Sequence, residues 1–291
     1  MTELSPMQDP LGLQRLGYAA SLLEHAAVQW VDGVLVPRAE RLIEETPVVL
    51  VYNGAAHVVM MTTPEHLEDF GIGFSLTEEL IESPGDIRSI EIVRYGQGIE
   101  VQMTVPAEVA EKIGGRSRKL SGRTGCGICG SDTIADVLKV LHPVQRTQPI
   151  AATSILRALG ALASHQALNA ASGAVHAAAW ATADGEIVLV REDVGRHNAL
   201  DKLIGALVRA GTAPVDGFLI VTSRASFEMV QKATVFGAPL LAAVSGPTGL
   251  AVRVAHQAGL TLVGFARGER LTIYSHPQGV AAGLTADGYP S

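Results

Sequence analysis

The tightest constraint on this chain is the alternation of two hydrophobic periods along its last third. Across 198–208, the apolar residues Ala199, Leu200, Leu203, Ile204, Leu207 and Val208 fall on one face of a helix. Short apolar runs at 218–222, 240–245, 261–266 and 271–274 read as strands, with helical patterns at 227–236 and 249–258 between them. A helical connection of about ten residues lets successive strands run parallel, and such a sheet has to be covered on both faces. A hairpin over 175–182 and 187–191, turning at Asp184-Gly185, precedes this region. The pattern predicts a three-layer αβα unit.

The first half reads differently. Strands at 47–52 and 57–62 flank the hairpin signal Asn53-Gly54. Thr63-Pro64-Glu65-His66 then opens a helix that runs through Leu67, Phe70 and Phe74 towards Leu80. Strands at 89–94 and 99–105 complete a small α+β unit. Helices are expected at 131–141 and 154–168. The resulting division is a tail at 1–20, an N-terminal unit at 21–113, a mobile basic loop at 114–130, a C-terminal unit at 131–275 and a second tail at 276–291.

Both cysteines of the chain lie in that loop, in Gly125-Cys126-Gly127-Ile128-Cys129-Gly130. The approach to it carries Arg116, Arg118, Lys119 and Arg123 and no acidic residue, and Ser131-Asp132 after it reads as a helix start. Cationic neighbours and a helix N-terminus both stabilise a thiolate. As a zinc site, Cys126, Cys129 and His142 fit a C-x2-C-x12-H spacing, but Gln145, Arg146 and Thr147 stand where a fourth ligand belongs. Zinc shared between two subunits stays open. A thioredoxin-like redox pair would follow the first strand of a small domain. Gly125, Gly127 and Gly130 match G-x-G-x-x-G, yet no strand precedes them and no acid lies near Pro149 and Ile150. The residues favour a nucleophilic carrier, whose thiolate picks up sulfur as a persulfide and passes it on.

The bulk properties narrow the setting. A net charge of −7 opposes general nucleic-acid binding. No cationic and apolar leader opens the chain, and no apolar run approaches the roughly 18 residues of a membrane span. A lone CxxC suits a reducing compartment, so a cytoplasmic protein is expected.

Three strand-to-helix turns should share one sheet edge. They are Glu192-Asp193-Val194-Gly195-Arg196-His197-Asn198, Thr222-Ser223-Arg224-Ala225-Ser226 and Ser245-Gly246-Pro247-Thr248. Hydroxyls and free N–H groups at helix N-termini suit phosphate, so together they suggest an anion pocket where α/β folds bind ligands, although each alone is an ordinary N-cap. Arg267 and Arg270 add two guanidiniums at the next strand end. His176 reads as structural. A zinc deaminase would need glutamate at position 178, which is alanine.

These segments, in this order, resemble the FdhD/NarQ-type formate dehydrogenase accessory sulfurtransferases. The resemblance runs from about Glu45 to Tyr274. It includes Val51-Tyr52-Asn53-Gly54, Gly73-Phe74-Ser75-Leu76-Thr77-Glu78, the CxxC loop, 192–202, 222–232, Ser245-Gly246-Pro247-Thr248 and 262–267. It implies a cytidine-deaminase-like αβα domain preceded by a smaller α+β domain, in a homodimer. It implies an enzyme that accepts sulfur from a cysteine desulfurase and transfers it to the molybdenum or tungsten of a bis(molybdopterin guanine dinucleotide) cofactor before insertion into formate dehydrogenase. By position, Cys126 would carry the persulfide and Cys129 would assist or also carry sulfur. Phe265, Ala266, Arg267, Gly268, Glu269 and Arg270 would contact the cofactor. No resident metal, nucleic acid or membrane partner is implied. The alternative reading is a non-catalytic chaperone that only holds the cofactor.

Overall fold

The computed structural model describes residues 12–120, 142–145 and 148–281, with backbone alone for 116–120. Cys126, Cys129, Arg123 and the helix expected at 131–141 lie outside the described residues, as does the chain beyond Ala281.

After a 3₁₀ turn at Leu13–Tyr18, strands β1 (Leu22–Val31) and β2 (Val34–Ile43) form a two-stranded antiparallel hairpin. The sequence reading assigns no element to 21–44. The hairpin turns at Asp32-Gly33, both with positive φ, the conformation a tight two-residue turn requires. Its strands lack a clean alternation because both faces stand largely in solvent, with Trp30 and Leu35 each 67% exposed.

The N-terminal unit is a four-stranded sheet in the order β4-β3-β6-β5. Its strands are β3 (Thr46–Tyr52), β4 (Ala55–Thr62), β5 (Ser89–Tyr95) and β6 (Gly98–Thr104). Helices α1 (Leu67–Thr77) and α2 (Ala107–Leu120) close a core of Val48, Leu50, Phe70, Phe74, Val101, Met103 and Ile113. Helix α2 continues past residue 113, so the start of the segment read as a loop is helical backbone. Val109, Ala110 and Ile113 anchor the helix to this core, which offsets the roughly 1 kcal/mol that each of Gly114 and Gly115 costs a helix.

The C-terminal unit has three layers. Its six-stranded sheet runs β13-β12-β11-β10-β8-β9. The strands are β8 (His176–Thr182), β9 (Ile187–Asp193), β10 (Gly217–Val221), β11 (Leu240–Ala243), β12 (Thr261–Arg267) and β13 (Arg270–Ser275). The central strands β10, β11 and β12 are parallel and the flanking pairs antiparallel, as a mixed sheet requires. Alternate strand residues divide between two cores. Trp180, Leu219, Val221, Leu241 and Leu262 meet helices α5 (Arg196–Arg209), α6 (Phe227–Phe236) and α7 (Gly249–Ala258). Ala179, Phe218, Ile220, Ala242 and Val263 meet helix α3 (Ala152–Leu162) on the other face. The helix expected at 154–168 divides into α3 and a short α4 (Ala167–Ser172). A minor strand β14 (Val280–Ala281) pairs with β7 (Ile150–Ala151), so paired structure extends beyond the 275 expected as its limit.

Helix α1 joins the two units. One side carries Leu67, Phe70 and Phe74 into the small sheet's core. The other crosses α5 at glycines. A Cβ on Gly73 would overlap the Asp201 carbonyl, and one on Gly205 would overlap the Asp69 carbonyl. The two helix backbones can approach this closely only without side chains at the crossing.

Candidate functional site at the sheet edge

Because β10, β11 and β12 run parallel, their carboxyl ends share one edge. Antiparallel β8 begins there, and β9 ends there, with His176 opposite Asp193. The three turns anticipated from the sequence do meet at this edge. Val244 N donates to Val221 O at 3.0 Å, and Thr248 N donates to Ala225 O at 3.0 Å beside an Ala225–Pro247 bridge. Phe265 N donates to Ser245 O at 3.2 Å, tying in the end of β12. Gly246 lies directly under the Phe265 ring, where a Cβ would collide with Cζ. Phe265 is half exposed and has φ of 50°, a left-handed backbone at an irregularity in the β12–β13 pairing.

Several hydroxyls suited to phosphate serve the frame instead. Thr222 Oγ1 accepts from Ala177 N at 2.9 Å, and Ser223 Oγ donates to Arg224 O at 3.0 Å. Thr248 caps α7, accepting from Ala251 N at 3.2 Å.

Beneath the edge is a fully paired polar layer. Asp193, completely buried, accepts from Gly195 N at 2.7 Å, Asn198 Nδ2 at 3.1 Å, Thr63 N at 3.0 Å and the Thr62 hydroxyl. Lys202 Nζ, equally buried, donates to Asp193 at 2.6 Å and to Thr63 O at 2.8 Å. Burial pushes the Lys202 ammonium below the ordinary lysine range, with Asp193 opposing. On the neighbouring helix α6, Lys232 donates to Thr77 Oγ1 at 2.9 Å, Glu78 at 2.9 Å and Asp201 at 3.0 Å. Burial works against its charge too, but Asp201 and Glu78 together hold this ammonium above the ordinary range. Two carboxylates against one explains why these lysines shift in opposite directions. Glu192 accepts from Leu168 N and Asn169 N, both at 2.8 Å, and so serves the first turn of α4. Both acids of the Glu192-Asp193 pair are therefore framework.

The outer layer is Arg196 and His197 from the first turn of α5, with Ser226, Glu228 and Gln231 from the start of α6. His197 Nε2 lies 2.9 Å from Glu228 Oε2, an ion-pair distance. That contact with His197 holds the Glu228 carboxyl below its ordinary value, against its burial. His176 is pushed below the ordinary histidine value, first by burial and then by Arg196 and His197.

Of the residues that the resemblance assigns to cofactor contact, the structure places Phe265, Arg267, Gly268, Glu269 and Arg270 in solvent around the β12–β13 turn, whereas Ala266 belongs to the core on the α3 side. Glu228 and Gln231 carried no signal in sequence beyond helix positions one turn apart. His176 did carry one. Counting back from the Asp184-Gly185 turn pairs it with Asp193 and so brings it to the edge.

An αβα sheet joined to a smaller α+β unit, with polar turns gathered at the carboxyl edge of its parallel strands, defines the class of fold. The FdhD/NarQ family model matches residues 43–281. A Bordetella bronchiseptica protein named "Sulfur carrier protein FdhD" is 49% identical over 264 residues, covering 89% of this chain and 96% of its own. One of the same name from Xanthomonas oryzae pv. oryzae is 51% identical over 246 residues, covering 83% of this chain and 88% of its own. The crystal structure of a candidate formate dehydrogenase accessory protein from Desulfotalea psychrophila superposes with a TM-score of 0.73 at 22% identity, covering 90% of this chain and all of that one. This chain belongs to the FdhD/NarQ family.

Proposed function

We propose that this protein is a sulfur carrier serving formate dehydrogenase. The observation that carries the reading is the near-50% identity, over most of the chain, to proteins named for sulfur carriage. The matched span 43–281 includes both cysteines. Cys126 thiolate attacks the outer sulfur of a cysteine desulfurase persulfide, forming Cys126–S–SH and releasing the desulfurase thiolate. The outer sulfur then passes to the molybdenum of a bis(molybdopterin guanine dinucleotide) held as substrate. The S–S bond breaks, the metal supplies the electron pair, and Cys126 leaves as thiolate. Cys129 assists, and the turn from Phe265 to Arg270 contacts the cofactor. A reducing cytoplasm, which keeps the thiols free, and a homodimeric assembly belong to the same reading.

The described structure supports the binding half of this proposal. Arg267 and Arg270 stand in solvent at the end of β12, free to take phosphate in bidentate fashion. The test is intact mass after incubation with a desulfurase and cysteine. Wild type and Cys129→Ala gain one sulfur, and Cys126→Ala gains none. A Cys126→Ala variant that still supports full formate dehydrogenase activity would establish the chaperone reading instead.

A further inference from the structure

Half of the large apolar side chains that stand exposed among the described residues lie on one element, the β1–β2 hairpin. Its register sorts them. Ala26, Val28 and Trp30 stand opposite Ala39, Pro37 and Leu35, and strand alternation puts these six on one face. All six are exposed, and no charged residue interrupts them. The other face carries the polar contacts of the hairpin, Arg38 to Glu40 at 2.9 Å and Arg38 to Gln29 at 3.0 Å. It also carries the partly covered residues Ala27 and Glu40.

Two physical facts set this face apart from ordinary surface. Apolar residues scattered singly are normal, whereas a contiguous apolar face marks a contact. A lone two-stranded ribbon is also marginal in water unless something packs on it. Here β1 and β2 form a sheet of their own, so both outer edges stay unpaired.

We propose that this face is the contact between two copies of the chain, the hairpin of each copy lying across the hairpin of the other. Area, charge and permanence select a second copy as the occupant. Eight large apolar side chains, each roughly half exposed, offer most of the about 800 Å² that one partner gives to a stable interface. A two-fold contact sets one surface against itself, so that surface has to carry both signs of charge. The hairpin does, with Glu24, Asp32 and Glu40 nearly balanced by Arg38 and Arg41, whereas the whole chain bears −7 and repels its like. A client that comes and goes would leave the apolar face bare between encounters, but a second copy is present wherever the chain is. Such a contact would be that of the homodimeric assembly in the proposed function, and the existence of a dimer rests on that reading.

The test is the mass of the full chain by sedimentation equilibrium at micromolar concentration, with acrylamide quenching of tryptophan fluorescence on the same samples. Wild type should sediment as a dimer. Val28→Glu combined with Leu35→Glu should weaken association about a hundredfold or more, because each carboxylate would be buried unpaired at the contact. No hairpin residue belongs to the three hydrophobic cores, so this variant should keep the near-ultraviolet circular dichroism of a folded chain. Trp180 is buried in the C-terminal unit, so quenching reports on Trp30, which should be protected in wild type and accessible in the variant. Val188→Glu, at an exposed apolar residue of β9, should leave the mass unchanged. A double variant that stays dimeric, or a wild-type dimer whose Trp30 is quenched as freely as in the variant, overturns the hairpin contact and leaves the homodimeric reading standing. Equal dissociation by Val188→Glu overturns it as well. A wild-type chain that is monomeric throughout overturns both.

Discussion

Helix α5 carries two polar clusters, and they are opposites. On its inner side Lys202 and Asp201 are buried with every charge answered: Lys202 by Asp193 and Thr63, Asp201 by Lys232 and Thr77. At its outer end Arg196 buries an Nε that meets no acceptor, beside Ser226 Oγ and Gln231 Nε2 of α6, which meet no partner either. The inner cluster spans both units, since Thr62, Thr63, Thr77 and Glu78 come from the N-terminal half. Evolution can afford buried charge in a joint only when it is complete, because breaking one member strands its partner. Incomplete pairing at the sheet edge costs stability unless something binds there.

The largest expected effect falls on the complete cluster. Lys202→Met leaves Asp193 charged and uncompensated in the joint, and denaturant unfolding should show a loss of about 3–5 kcal/mol. Retention of wild-type stability would mean that the Thr62, Thr63, Gly195 and Asn198 contacts satisfy Asp193 unaided. Gly205→Ala comes next. The added methyl meets the Asp69 carbonyl, so the α1–α5 crossing has to open, at about 3 kcal/mol by the same measurement. Gly114→Ala, where nothing lies within contact, should instead be neutral or mildly stabilising, and that pair separates close approach from helix propensity.

Opposite in sign and smaller, Gln231→Leu should stabilise the free protein by about 1 kcal/mol, since an unpaired amide gives way to a side chain that needs no partner. If it destabilises, the outer cluster is satisfied after all and the contrast between the two regions fails. The smallest effect is one of pH. His176 is less basic folded than unfolded, where its value is about 6.5, so the unfolded chain binds more protons between the folded value and 6.5. Stability from this group is therefore intact above about 6.5 and declines as pH falls through that window. His66, depressed by burial and then by Arg191 and Lys202, should contribute in the same direction. His176→Asn should flatten part of the decline in a melting-midpoint series.

Much of the sheet was legible because hydrophobic period and turn chemistry agree there. The strand at 218–222, the helices at 227–236 and 249–258, and the hairpin at Asp184-Gly185 all stand close to where the pattern puts them. The hairpin β1–β2 was not legible, since strands exposed on both faces carry no alternation to read. The division of labour at the edge was half legible. Three polar turns could be assigned to one edge, yet nothing local distinguishes Thr248, which caps its helix, from Ser226, which does not.

What the sequence determined by itself is whatever depends on neighbours along the chain: the αβα layering, the shared edge and the placing of both cysteines in one glycine-rich stretch of sequence. Family membership was legible in the same way, as motifs in order, and the match over 43–281 agrees with it. Only the tertiary structure decided which charges are framework. Lys202 and Asp193 are nine residues apart and could have been surface groups. They became a buried pair because α1 crosses α5 at Gly73 and Gly205, which brings Thr62 and Thr63 over them and excludes water. Desolvation is set by what packs on a group from elsewhere in the chain, and no local pattern encodes it.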